Sequence, residues 1–242
     1  MVKLILKKLL DAIYPHTCHR CGIRLEAGWS LCPPCRESFL EVSAPMCNKC
    51  GECFDGAISD EFTCPNCHQL KLVFHFARAA YQGTEDTLDL IHQFKYQSQI
   101  HLSKELGLLT SKALSDPRFD DYLKNGTLIP VPLHWRRYRK RTFNQSDEIS
   151  KAISSIHAGL TTVNALKRIR YTQTQTSFSR AKRLTNLKGA FKVRNKFIQQ
   201  IKGRRIILID DVFTTGSTAN ECSKALIKAG ASSVAILTFL RG

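Results

Sequence analysis

The sequence predicts an α/β fold, a parallel sheet flanked by helices, preceded by a small domain built around paired cysteines. Three observations carry that expectation. Ile206-Ile207-Leu208-Ile209 is followed by Asp210-Asp211 and the turn Thr214-Thr215-Gly216-Ser217-Thr218; four consecutive aliphatics read as a strand buried on both faces, as in a parallel sheet. Directly after it, Ala219, Cys222, Ala225, Leu226 and Ala229 recur at helical spacing and stop at Gly230, a residue suited to a left-handed helix end. Finally, nine of the ten cysteines fall between Cys18 and Cys67.

A chain of 242 residues with 43% hydrophobic content fits one medium domain and one small one, and excludes a disordered tail or a fibre. The expected division is residues 1–70 and 71–242. The formal charge of +16 is unevenly spread: residues 1–80 hold 9 Lys and Arg against 8 acids, residues 81–127 hold 5 against 7, and residues 128–242 hold 22 against 5. A field so concentrated favours polyanions, whether a nucleotide pyrophosphate or a nucleic-acid backbone.

At the N-terminus, Lys7 and Lys8 interrupt the apolar run of Met1 to Leu10 before it reaches signal-peptide length. Leu6, Leu9, Leu10 and Ile13 line one helical face, which suits a docking helix better than one lying on a membrane surface. No other stretch approaches membrane-spanning length. The expected location is cytoplasmic, with association at the inner face of the membrane left open.

The cysteines repeat a pattern. Cys18-x2-Cys21-Gly22 and Cys32-x2-Cys35 are followed by Cys47-x2-Cys50-Gly51 and Cys64-x2-Cys67, an internal duplication. Two such turns complete a tetrahedral four-thiolate site, and zinc is the expected metal. The most economical pairing puts Cys18, Cys21, Cys32 and Cys35 on one zinc and Cys47, Cys50, Cys64 and Cys67 on another, with interleaved pairing as the alternative. Cys53 could replace a ligand in the second site and is read as a spare thiol. Closed four-thiolate sites leave no position for substrate, so both zincs are expected to be structural.

Thr127 to Leu133 reads as a second buried strand, ending in a loop shaped by Pro130 and Pro132. Next, Arg136, Arg137, Arg139, Lys140 and Arg141 place five basic residues within six positions, a polyanion contact or a solvated face. Residues 167–190 are polar and hydroxyl-rich with little apolar periodicity. The helix expected after Gly216 turns its unpaired N–H groups and the positive end of its dipole toward Thr214 to Thr218, where a phosphate can sit. Asp210-Asp211, set against so basic a surrounding, is explained by ribose hydroxyls or a Mg2+ ion.

The segment from Ile206 to Thr218 resembles the phosphoribosyl pyrophosphate (PRPP) motif of type I phosphoribosyltransferases. Val-Pro-Leu at 131–133, Arg137, Arg141, Phe143-Asn144-Gln145 and the cysteine pairs narrow the resemblance to the ComF/GntX family of competence-associated phosphoribosyltransferase-like proteins, over essentially the whole chain. The resemblance implies a type I phosphoribosyltransferase-like sheet behind a double zinc ribbon. It implies that Asp210 and Asp211 hold the ribose of Mg2+-PRPP, Thr214, Thr215, Gly216, Ser217 and Thr218 the 5′-phosphate, and the loop from Pro132 to Arg137 (Leu133, His134, Arg137) with Arg141 the pyrophosphate. Residues 167–190 resemble a mobile lid bringing Arg180 or Arg183 to the pyrophosphate, and equally suit a single-strand contact surface with Tyr171 and Phe178 as stacking groups. The implied partners are PRPP, single-stranded DNA and the DNA-uptake or helicase machinery, with no stable membrane insertion. The implied activity is phosphoribosyl transfer with the acceptor open; a salvage-type enzyme that never touches DNA is the alternative, and a duplex-specific transcription factor is weaker. Family members usually have glycine where this chain has Thr142, so a positive φ there would be costly for threonine.

Overall fold

The computed structural model describes residues 16–26, 28–56, 62–96, 99–124, 126–171 and 187–242. The N-terminal amphipathic face and the lid residues Phe178, Arg180 and Arg183 lie outside the described residues. The described strands are β1 (Ala77–Gln82), β2 (Thr127–Pro130), β3 (Thr161–Thr162), β4 (Leu166–Arg168), β5 (Phe191–Val193), β6 (Arg205–Phe213) and β7 (Ser233–Arg241). The helices that matter for the site are α1 (Pro33–Glu37), α2 (Pro65–His68), α3 (Glu85–Tyr96), α4 (Leu102–Ser111), α5 (Trp135–Arg141), α6 (Gln145–Ile156) and α7 (Ser217–Lys228). Five strands form one parallel sheet in the order β1-β7-β6-β2-β3, and β4 and β5 make a separate antiparallel pair. The expected parallel sheet between helices is therefore present.

The aliphatic run explains why the sheet has two covered faces. Ile207 and Ile209 pack with α3, α4 and α6, through Leu90, Phe94, Leu106 and Ile153. Ile206 and Leu208 point the other way, onto α7 and the β4–β5 pair, through Leu226, Phe191 and Val193. Alternation of neighbouring side chains across the sheet requires this, and neither set tolerates solvent.

The two cysteine groups straddle the sheet. Cys18, Cys32 and Cys35 join the first core with Phe39 and Tyr81, whereas Cys47, Cys50, Cys64 and Cys67 join the second with Phe74 and Ala77. Between them the chain runs along the free edge of β1: Val42 N–H donates to Ala80 O at 3.0 Å and Gln82 N–H to Leu40 O at 2.8 Å. Glu41 bridges Tyr81 in antiparallel sense.

Two strand boundaries differ from expectation. β2 ends at Pro130 rather than Leu133; Val131 N–H still donates to Ile209 O at 2.9 Å, but Pro132 has no N–H with which to continue a ladder. β6 does not end before the acids, and runs through Asp210 and Asp211 to Phe213, paired with β7 to Arg241. The acid pair therefore stands on rigid strand, just past the point where β2 leaves it. A crevice opens there, at the carboxyl ends of the strands, where open α/β sheets bind their ligands.

Thr142 ends α5 in the left-handed region at φ 66°, among the described residues the one non-glycine with positive φ. Its N–H closes the helix on Tyr138 O at 2.7 Å. A β-branched residue pays about 1 kcal/mol or more for that conformation. Thr142→Gly is thus expected to stabilise the protein by about 1 kcal/mol, read as a higher midpoint in denaturant; an unchanged or lower midpoint overturns the strain argument.

Candidate functional site

A cleft of about 550 Å³ lies over the end of β6. Its floor is Asp210, Asp211 and Thr218, and its walls are Lys95 and Tyr96 of α3, Val131 to Leu133, Arg137, Lys140 and Arg141 of α5, Gln145 and Ser146 of α6, Arg168 and Tyr171. Five cations thus face two carboxylates. The excess positive charge in so confined a space suits a polyphosphate.

The acids are held differently. Asp211 forms an ion pair with Lys95 at 2.9 Å. Asp210 accepts from Ser146 Oγ at 2.9 Å and from Asp211 N–H at 3.0 Å. Burial pushes the Asp210 carboxyl up to about 7, with the charge of Asp211 next in weight. Such a carboxyl contributes stability that is complete below its ordinary value of 3.8 and is lost as pH rises through about 7. The ligand-free protein is expected to lose about 2 kcal/mol between pH 5 and pH 8, and Asp210→Asn to flatten that slope in thermal melts. An equal slope in the variant overturns this.

The basic wall is built by the Phe143-Asn144-Gln145 segment. Phe143 is buried against Phe94, their rings 5.2 Å apart. Asn144 Nδ2 donates to Val131 O at 3.0 Å and so ties down the loop after β2. Gln145 Oε1 accepts from Arg141 at 3.1 Å, and Arg141 also donates to Tyr96 Oη at 3.1 Å. Gln145 Nε2 is buried at the cleft with no partner among the described residues, a donor suited to an anionic oxygen. Burial and then the charge of Arg137 bring Arg168 down to about 10; burial and then Arg141 lower Arg137. Guanidinium groups crowded together in this way suit an anionic ligand better than a solvated face.

The turn after β6 is only partly assembled into the cleft. Thr218 lines it. Thr214, Thr215, Gly216 and Ser217 are not among its lining residues; in their turn Thr215 Oγ1 and Ser217 Oγ lie 2.8 Å apart. Gly216 is required there: its φ is 74°, and a Cβ would come within 2.9 Å of the Phe213 ring. Of the loop residues, Leu133 and Arg137 line the cleft. His134 does not; it is buried at the head of α5, where its ring accepts from Arg136 N–H at 3.4 Å. Sequence reasoning missed Lys95, Ser146 and Arg168 as site residues. Ser146 directly follows Gln145 and was within reach, whereas Lys95 is an ordinary helix lysine until the fold brings α3 to β6.

The cysteines form two groups, Cys18, Cys21, Cys32, Cys35 and Cys47, Cys50, Cys64, Cys67, with ligand atoms within 4.8 Å of one another. The pairing is the non-interleaved one. Zinc bonded at about 2.3 Å to each sulfur puts neighbouring sulfurs about 3.8 Å apart. Cys21 and Cys32 Sγ stand 3.6 Å apart and Cys50 and Cys64 Sγ 3.8 Å, so the residues fit the ion. Backbone N–H groups of Cys32 and Cys64 donate to Cys18 and Cys47 Sγ at 3.4 and 3.3 Å, as thiolate ligands require. Cys53 belongs to neither group and its thiol donates to Ser43 O at 3.5 Å. Among the described residues no helix is long and apolar enough to cross a membrane.

Comparison with known proteins agrees with this outline. The double zinc ribbon domain family matches residues 9–69. Competence protein F of Haemophilus influenzae is 32% identical, over 85% of this chain and 88% of its own length. The DNA utilization protein YhgH of Escherichia coli (strain K12) is 29% identical over 94% of this chain and 97% of its own, and competence protein ComFC of Bacillus subtilis is 24% identical over 87% and 84%. Among solved structures, the allosteric regulatory enzyme of purine biosynthesis aligns over 57% of this chain and 25% of its own, at 19% identity and a TM-score of 0.34. A likeness that low carries no argument, and the sheet order stands on its own.

Proposed function

The chain belongs to the competence protein F family, and from that premise we propose that its cleft binds Mg2+-PRPP in a protein that handles single-stranded DNA during natural transformation. The observation that carries the first half is the acid pair on rigid strand facing Lys95, Arg137, Arg141 and Arg168 across one cleft. Asp210 and Asp211 would take the ribose hydroxyls and hold the magnesium ion that arrives with PRPP, which partly neutralises the pyrophosphate. Arg137, Arg141 and Arg168 would hold the pyrophosphate, and Lys95 would leave Asp211 for it. Thr218, at the start of α7, would face the 5′-phosphate. The relatives' names, with the concentration of positive charge after residue 127, support the DNA half.

Phosphoribosyl transfer needs stabilisation of a leaving pyrophosphate and of positive charge at the anomeric carbon. The basic wall and the acid pair are disposed for those two tasks, with the acceptor to be found by screening purines, pyrimidines and oligonucleotides for pyrophosphate release. The direct test is calorimetric titration with PRPP and Mg2+. Saturable heat supports the reading, and its absence sinks it.

A further inference from the structure

Beside the cleft lies a second, acid-free groove of about 560 Å³, lined in part by Trp135, Tyr138, Arg139, Lys167, Arg168 and Arg194. Its aromatic groups are turned to solvent. Trp135 is 55% exposed, Tyr138 51%, and the neighbouring Tyr171 44%. Helix α5, which carries the first two, has no buried residue at all. Aromatic rings exposed in such density on one short helix have no role in the core, and exposed apolar patches of this kind mark binding surfaces.

Cations are interleaved with the rings. The Arg139 guanidinium lies 4.9 Å from the Trp135 ring, and Arg136 lies 5.3 Å from Trp135 and 5.1 Å from Tyr171. Among the described residues, none of Arg136, Arg139, Lys167 and Arg194 is ion-paired with a carboxylate. Their charge is available to an external anion.

We propose that this groove is a stacking site for single-stranded nucleic acid, with Trp135 and Tyr138 taking bases and Arg139, Lys167 and Arg194 tracking the phosphates. Flat rings alternating with cations suit a strand whose bases are free to leave their own stack, whereas a duplex keeps its bases inside. The groove shares Pro132, Leu133 and Arg168 with the cleft, so a bound strand would run past the mouth of the PRPP site. The proposal rests on the DNA-handling reading and adds the surface that performs it.

The chain has two tryptophans, and Trp29→Phe leaves Trp135 as the sole tryptophan reporter in the zinc-loaded, full-length protein. Titration with oligothymidylate is expected to quench its fluorescence in a length- and salt-dependent way. Trp135→Ala with Tyr138→Ala is expected to weaken binding about tenfold or more while the protein keeps its zinc and melting temperature, and Trp135→Phe to restore part of the loss. Strand binding that is neither quenched nor weakened in the double variant overturns the groove and leaves DNA handling intact. Absence of strand binding by the parent protein overturns both. Quenching by free thymidine as strong as by oligothymidylate overturns the strand assignment in favour of a single-base site.

Discussion

Removing metal from the folded protein is expected to release two zinc ions per chain and to destabilise it more than any single substitution at the cleft. Zinc in four-thiolate sites contributes on the order of 10 kcal/mol each to the folding of small ribbons, and a chain of this size loses about 2–4 °C of melting temperature per kcal/mol. The effect should not stay within the ribbons. Cys18, Cys32 and Cys35 belong to the core on one face of the sheet, and Cys47, Cys50, Cys64 and Cys67 to the core on the other. Chelation should therefore lower the melting temperature by tens of degrees, with loss of near-ultraviolet ellipticity from aromatic residues beyond the ribbons. Calorimetry of the chelated protein with a colorimetric zinc count checks this; two zincs lost with the melt shifted by less than 5 °C (about 2 kcal/mol) overturns it. Cys53→Ser is the control and should retain both metals, because its thiol lies outside both groups.

The second large effect is at the acid pair. Asp210→Asn with Asp211→Asn is expected to weaken Mg2+-PRPP binding by at least about 100-fold, since hydrogen bonds to charged groups are worth about 1.5–3 kcal/mol each. The ligand-free Asp210→Asn single variant, which keeps the Asp211–Lys95 pair, should move in the opposite direction at pH 8. Asp210 is ionised there against the resistance of its burial and of Asp211, and its amide removes that penalty. Weaker binding together with a higher melting point separates a binding role from a merely structural one. Binding within threefold of the parent chain would remove these carboxylates from the site.

The fold was legible where neighbouring residues determine structure. Ile206 to Ile209 announced a doubly covered strand, and the spacing from Ala219 to Ala229 announced the helix after it. The metal groups were legible because a Cys-x2-Cys turn presents both thiolates locally. The acid pair was found, but its setting was not: that β6 continues through Asp210 and Asp211 depends on the length of β7 beside it. Lys95 could not be read at all, and Arg168 only as part of the segment 167–190. Each is one basic residue among many in sequence, and only the approach of α3 and the β4–β5 pair to the end of β6 selects it.

The hydrogen bonds of residues 40–42 along β1 give the metal sites a further consequence. A parallel sheet of buried strands ends in a row of open backbone donors and acceptors, and an uncovered edge of that kind recruits other chains. Here the cover is a short segment suspended between the two four-cysteine groups, anchored by Phe39 in the core and by the Glu41–Lys112 ion pair. Metal loss is therefore expected to loosen this cover and promote self-association, which light scattering of the chelated protein checks; a chelated chain that stays monomeric overturns it.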